Sequence, residues 1–254
     1  MNAVFPDLKG TSVFITGGGS GIGAALTLGF LQQGAKVAFV QRSDGTQFCD
    51  EMEKATSNRP LYIPCDITDI TALRAAVHDA ASAHGPIRTL VNNAANDQRH
   101  TIADVTEEFW DQMQAINLKA YFFAAQAVIE GMKAAGGGSI INFSSISYMM
   151  GNAGYPLYTA ANAAINGMTR SLAREVGGDR IRVNALAPGW VLTQKQKDLW
   201  VTTEGLAAHV ARQCLKDTLD PDDIVGGTLF LASDISRMMT GQALVIDGGV
   251  VVTG

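Results

Sequence analysis

The sequence predicts an α/β fold: a doubly wound parallel sheet of about seven strands with helices on both faces. Short apolar runs alternate with segments of helical spacing, several of those runs are apolar on both faces, and glycines cluster at the end of the first. Ser12 to Thr16 (Ser-Val-Phe-Ile-Thr) is that first run, and Ala24 to Gln33 follows with Ala, Leu and Phe at helical spacing. Further strands are expected near Lys36 to Val40, Leu61 to Ile63, Thr89 to Asn92, Ser139 to Phe143, Ile181 to Ala185 and Ala243 to Ile246, separated by about six helices. Val37-Ala-Phe-Val40 and Ile140-Ile-Asn-Phe143 lack polar alternation, which suits a sheet covered on both sides. A long helix is expected from near Thr106 to Ala135, with Gly136 to Gly138 as the turn after it. Pro156 has no amide hydrogen to lose at a helix start, so a helix from Pro156 to Val176 sets Tyr158 and Asn162 one turn apart, facing the same way. The stretch from 189 to about 205 reads as irregular and polar, and a mobile substrate lid is expected across 189–210.

At 254 residues and 47% hydrophobic content the chain can bury one large core, so one domain spanning 1–254 is expected. A net charge of −5 and a pI near 5.3 give no basic stripe for nucleic acid or an anionic membrane. Cys49, Cys65 and Cys214 are odd in number and lack metal-ligand spacing, so no metal is expected. The N-terminus does not read as a leader, and no apolar run approaches the ~20 residues that span a bilayer. A reduced, soluble, cytoplasmic protein with a small-molecule partner is the expectation.

Thr16-Gly-Gly-Gly-Ser-Gly-Ile-Gly23 lies between the first strand and the first helix. Gly17, Gly21 and Gly23, with Ser20 and Ile22 between them, permit a tight turn whose helix amides meet a pyrophosphate at the positive end of the helix dipole. This makes the fold of the Rossmann type; a turn that merely needs glycines is the plain alternative. Asp66, followed by Ile67, ends the third strand, where its carboxylate is equally suited to an adenine amine or to a helix cap ahead of Thr68 and Asp69. Asn93, Ala94 and Ala95 end the fourth strand with side chains small enough to let a flat ligand approach the backbone. The second strand ends in Gln41-Arg42-Ser43, with no acid for a ribose 2′-hydroxyl and an arginine suited to a 2′-phosphate. NADP is therefore favoured, with NAD as the alternative.

Thr16 to Gly23, Asn92 to Ala95, Asn117, Ser145 and Tyr158 together resemble the short-chain dehydrogenase/reductase superfamily over almost the whole chain. Asn92 to His100, Phe143 to Ser147 and Gln213 to Lys216 resemble, within it, bacterial aldose 1-dehydrogenases of the D-xylose dehydrogenase type. The resemblance implies oxidation of the anomeric carbon of a sugar to a lactone, with hydride passed to NAD or NADP. It implies that Tyr158 takes the hydroxyl proton, that Ser145 holds that oxygen, and that Asn117 anchors a water leading to a proton relay. Pro188 and Gly189, with Val191 beyond them, resemble the turn that meets the nicotinamide amide, and the helices of 106–135 and 156–176 resemble those that pair subunits into a homotetramer.

One position departs from the family. Its residue four beyond the tyrosine is lysine, which binds the nicotinamide ribose and lowers the tyrosine pKa; here it is Asn162. Asparagine keeps a hydrogen bond to ribose but not the charge, a loss expected to slow a phenolate-dependent step by about 10- to 1000-fold. Three explanations stand: a substitution made to trap a complex, a natural loss of turnover, or recruitment of another cation such as Arg99 or Lys119. The first is favoured because Ser145, Tyr158 and Asn117 are in place.

Asn96, Arg99 and His100, beside Asp97, lie in the loop after the fourth strand and are expected to meet sugar hydroxyls, together with Ser145, Ser147 and Tyr158. Trp190 and Trp200 flank Gln194, Lys195 and Lys197, so the lid can offer an aromatic face to a sugar ring and a cation to an acidic substituent; core packing is the alternative for either tryptophan. His78, His84 and His209 are assigned no function. The competing readings are reduction of a 3-oxoacyl carrier or other ketone, and an NAD(P)-binding protein without chemistry, which Asn162 alone supports.

Overall fold

Strand formation follows the apolar runs closely in the computed structural model, which describes residues 3–252. The seven strands are β1 (Ser12–Thr16), β2 (Lys36–Gln41), β3 (Leu61–Pro64), β4 (Ile87–Asn92), β5 (Gly138–Phe143), β6 (Ile181–Pro188) and β7 (Ala243–Ile246). They form one parallel sheet in the order β3-β2-β1-β4-β5-β6-β7. The direction of winding reverses between β1 and β4, so a crevice opens there at the carboxyl ends of the strands, where ligands bind in such sheets.

The helices are α1 (Gly21–Gln32), α2 (Thr46–Thr56), α3 (Ile70–His84), α4 (Glu107–Gln114), α5 (Ala120–Ala134), α6 (Ser147–Met150), α7 (Pro156–Val176), α8 (Gln194–Leu199), α9 (Thr203–Arg212) and α10 (Pro221–Ala232). Successive strand residues enter opposite cores, as a period of two requires. Val13 and Ile15 pack with Leu26 and Phe30 of α1 and Ile224 and Leu229 of α10, whereas Phe14 packs with Leu73 of α3, Ala124 of α5 and Leu172 of α7. Among the described residues no helix is long and apolar enough to cross a membrane.

Two expectations need correction. The helix expected over 106–135 is interrupted by a π turn, Ala115–Lys119, closed by the Ala120 amide donating to the Ala115 carbonyl. Such turns hold one extra residue and re-aim the side chains around them. The stretch beyond 189, expected to be irregular, folds into α8 and α9, capped by Thr193 and Thr202, whose hydroxyls accept the amides of Gln196 and Gly205. Its polar composition comes from the exposure of these short helices, not from an absence of structure.

Close packing at the first turn leaves no room for a side chain at Gly23, where a Cβ would lie 1.9 Å from the Gly17 carbonyl oxygen. Gly226, inside α10, faces open space. Gly23→Ala is therefore expected to cost about 1–3 kcal/mol, while Gly226→Ala is expected to be neutral or stabilising by up to about 1 kcal/mol. Urea midpoints with an unchanged slope would measure both.

Candidate active site

Thr16, the last residue of β1, ties the glycine turn to the end of β4. Its hydroxyl oxygen accepts the amides of Asn93 (2.9 Å) and Ala94 (3.1 Å), and the Asn93 side-chain amide donates back to the carbonyls of Thr16 (3.0 Å) and Gly17 (3.2 Å). Gly17 takes φ +70°, and a Cβ there would meet that of Ala94 at 3.0 Å. α1 then begins after Ser20, whose side chain makes no capping hydrogen bond. The first-turn amides of this helix are left for another acceptor, at a backbone cradle that side chains would fill. This geometry fits a dinucleotide pyrophosphate.

The residues expected to hold the other end of a dinucleotide lie on open surface beyond β2 and β3. Arg42 faces Asp66 at 3.8 Å, with both side chains largely exposed. Asp66 does not cap a helix: its carboxylate accepts the Thr68 amide (2.9 Å) and hydroxyl (2.7 Å) in a local turn, and Asp69 caps α3. Partial burial works against the Asp66 carboxylate, but the Thr68 hydrogen bonds and the charge of Arg42 bring its pKa below the ordinary value. The Gln41 side chain donates to the Ser43 carbonyl (3.1 Å), and Ile67 is buried. Gln41 lies so close to the glycine turn that a Cβ on Gly19 would strike its side-chain oxygen.

A cavity of about 710 Å³ opens beside the turn, and Ile22, Asn93, Ala95, Ser145, Ser147, Tyr158, Asn162, Pro188, Gly189, Trp190 and Val191 all line it. α7 supplies Tyr158 and Asn162 one turn apart, as the proline start predicts. Asn162 is 3% exposed, and its amide donates to the Tyr158 carbonyl at 2.8 Å. Its own carbonyl accepts from the Ser144 hydroxyl (3.0 Å) and the Asn166 amide (2.8 Å), which fixes this turn of the helix against the end of β5. The Ser145 hydroxyl accepts the Ser147 amide at 3.1 Å. Burial first, and then the charge of Asp97, pushes the Tyr158 phenol up to about 12; hydrogen bonding from Ser145 and Asn162 pulls the other way.

Three expected side chains do different work. Asn117 sits in the π turn and lines the cavity, yet its side chain is spent on the Asn96 backbone: its oxygen accepts the Asn96 amide (2.8 Å) and its amide donates to the Asn96 carbonyl (3.0 Å). It clamps the loop after β4 through these two bonds. Asn96 is outside the cavity lining, its side-chain oxygen turned to the Gln98 amide (3.0 Å). His100 is buried, with Nδ1 at 2.9 Å from the Gln98 carbonyl and Nε2 accepting the Leu157 amide at 3.3 Å. It splices the loop to the start of α7 instead of facing the cavity.

The loop instead presents Asp97 and Arg99. Asp97 accepts Lys195 Nζ (2.7 Å) and the Gln196 side-chain amide (2.6 Å), both from α8, and Gln196 in turn accepts Trp190 Nε1 (2.9 Å). Although burial favours the protonated form, these donors and the lysine charge hold the Asp97 carboxyl below its ordinary pKa. Asp97 and Lys195 are 98 positions apart, so no local pattern announces this clasp. Of the two cations considered as replacements for a lysine, Arg99 lines the cavity, and Lys119 is exposed outside it. Among the described residues no group of three or more His, Cys, Asp or Glu is placed to hold a metal ion.

Residues 17–251 match a family model described as enoyl-(acyl carrier protein) reductase. A protein of Rhizobium meliloti (strain 1021) named for galactose dehydrogenase activity is 48% identical over 97% of this chain and 97% of its own. D-xylose 1-dehydrogenase of Caulobacter vibrioides is 47% identical over 98% of each chain. A solved blue fluorescent protein from a metagenomic library, in complex with NADPH, is 34% identical with a TM-score of 0.87, covering 97% of this chain and all of that one. The chain belongs to the short-chain dehydrogenase/reductase family.

Ser145 and Asn162 give Tyr158 hydrogen bonds but no positive charge. A group whose pKa is raised to about 12 is almost wholly protonated at pH 10. Asn162→Lys is expected to bring phenolate formation at Tyr158 down by about 1 to 3 pH units. Ultraviolet difference titration of each protein against its Tyr158→Phe counterpart reads this without any substrate; coincident titrations would show that the charge does not reach the phenol.

Proposed function

We propose that this protein is an NAD(P)-dependent sugar 1-dehydrogenase that oxidises the anomeric carbon of an aldose to its lactone. The observation that carries the reading is the meeting of Tyr158, Ser145 and Asn162 in one cavity beside the glycine turn; the sugar-dehydrogenase names of the two relatives near half identity direct it to aldoses. When bound, the nicotinamide supplies the hydride acceptor. Ser145 would donate a hydrogen bond to the anomeric oxygen, and Tyr158, as its phenolate, would take the hydroxyl proton as C1 gives up hydride to that acceptor. Asn162 and the Pro188-Gly189 turn orient the ribose and amide ends of the nicotinamide half. The 189–210 segment acts as the lid, held down by Lys195 and Gln196 on Asp97 and thereby excluding water.

The exposed Arg42 guanidinium supports NADP as the preferred cofactor, with NAD also accepted. The assembly is a homotetramer formed through the faces of α4, α5 and α7, where Trp110 and Phe122 remain exposed in the single chain; a sedimentation velocity experiment giving a monomer at working concentration would remove it.

The central test is the initial rate of NADH and NADPH formation over a panel of aldoses, for this protein and Asn162→Lys. Sugar-dependent hydride transfer is expected in both, with the lysine variant faster by about 10- to 1000-fold. Reduction of acyl ketones without any sugar oxidation would replace the reading with a ketone reductase. Arg42→Ala is expected to lower kcat/KM for NADP relative to NAD by about tenfold or more, the worth of one charge-assisted hydrogen bond.

A further inference from the structure

We propose that the aldose accepted here carries an anionic substituent remote from its anomeric carbon, received by Arg99 and Arg212. The inference rests on the reading of the site as an aldose dehydrogenase. Asp97, Arg99 and Arg212 are the charged side chains lining the cavity. Asp97 is neutralised by Lys195 at 2.7 Å, which leaves the arginine charges in excess. Among the described residues neither arginine takes part in an ion pair within 4.0 Å or donates a side-chain hydrogen bond.

Arg99 is nevertheless held in place. Its guanidinium stacks 3.9 Å from the Tyr155 ring centroid and 5.5 Å from that of Trp200. Stacking occupies a face of the guanidinium and leaves the in-plane N–H edge free, the edge that matches a carboxylate, sulfonate or phosphate.

Three residues of the cavity lining each carry a polar atom without a partner. Trp200 Nε1, His209 Nε2 and Ser147 Oγ are buried without a hydrogen-bond partner, and all three residues line this cavity. An indole nitrogen only donates, so the partner it lacks is an acceptor. Burial first, and then the charge of Arg212, holds the His209 imidazole below its ordinary pKa, so the ring is neutral and still donates from one nitrogen. Hydroxyls of a neutral sugar would satisfy the donors but leave two cations unused; an anion uses both.

The placement separates recognition from reaction. Arg99 comes from the loop after β4, Trp200 and His209 from the lid and Arg212 from the end of α9 just beyond it, whereas Tyr158 and Ser145 come from α7 and the turn after β5. A sugar bridging these walls has its charged end under the lid and its anomeric end at the phenol. Closing the lid therefore depends on the substituent as well as on the Asp97 clasp.

The test compares kcat/KM for D-glucose, D-xylose, D-glucuronate, 6-deoxy-6-sulfo-D-glucose and D-glucose 6-phosphate, in this protein and in Asn162→Lys, with both cofactors. At least one anionic hexose is expected to exceed D-glucose by about tenfold or more, and the winner identifies the anion as carboxylate, sulfonate or phosphate. In Arg99→Gln and Arg212→Gln the ratio of anionic to neutral kcat/KM is expected to fall by about tenfold; a ratio is insensitive to partial loss of folded protein. Neutral aldoses turned over as well as every anionic one, or a ratio unchanged in both variants, would overturn the proposal while leaving the aldose reading intact. Absence of hydride transfer from every aldose in both proteins would overturn the two together.

Discussion

The hydroxyl of Thr16 is the point on which the site's geometry depends. It ends β1 at the position where the winding of the sheet reverses, and it accepts two amides from the strand on the other side of the crevice. The Asn93 side chain returns two hydrogen bonds to the turn. Each such bond is worth only about 1 kcal/mol net. Together, however, they fix the glycine turn against Asn93 and Ala94. Glycine at 17 is required by that tie: its left-handed backbone and its contact with Ala94 both forbid a side chain.

A second set of ties positions the loop after β4. Asn117 binds the amide and carbonyl of Asn96, and His100 binds the amide of Leu157, so the loop is pinned at one end to the π turn and at the other to the start of α7. Asp97 and Arg99 lie between these pins and face the cavity as a consequence. The loop thus behaves as part of the scaffold, and the same pin that orients it sets the first turn of the helix carrying Tyr158. The π turn serves this arrangement by widening the helix at Asn117, whose side chain is buried and fully engaged.

What the sequence reveals here follows from the range of each interaction. Strand cores are legible because every residue of an inner parallel strand meets a helix: Val37 to Val40 are buried without exception, as their uninterrupted apolar run requires. The last residues of β6 are less legible, because Ala187 and Pro188 join the sheet through their register with Val245 and Ile246, some 58 positions away. Tyr158 and Asn162 are placed correctly because Pro156 fixes the helical phase locally. The backbone hydrogen bonds of the His100 and Asn117 side chains are not legible, since a polar side chain beside a cavity serves the ligand or the backbone equally well by composition. Only the fold decides which group is left without a partner.

The electrostatics at Tyr158 link these parts. Burial and the Asp97 carboxylate both oppose the phenolate, and Asn162 answers them with hydrogen bonding alone. The charge that tempers Asp97 is Lys195, on α8. With α8 in place, the carboxylate is paired and partly cancelled; with α8 displaced, the same carboxylate would act on the phenol unpaired and oppose its ionisation more strongly. The state of the lid and the acidity of the phenol are thereby coupled through Asp97 and Lys195.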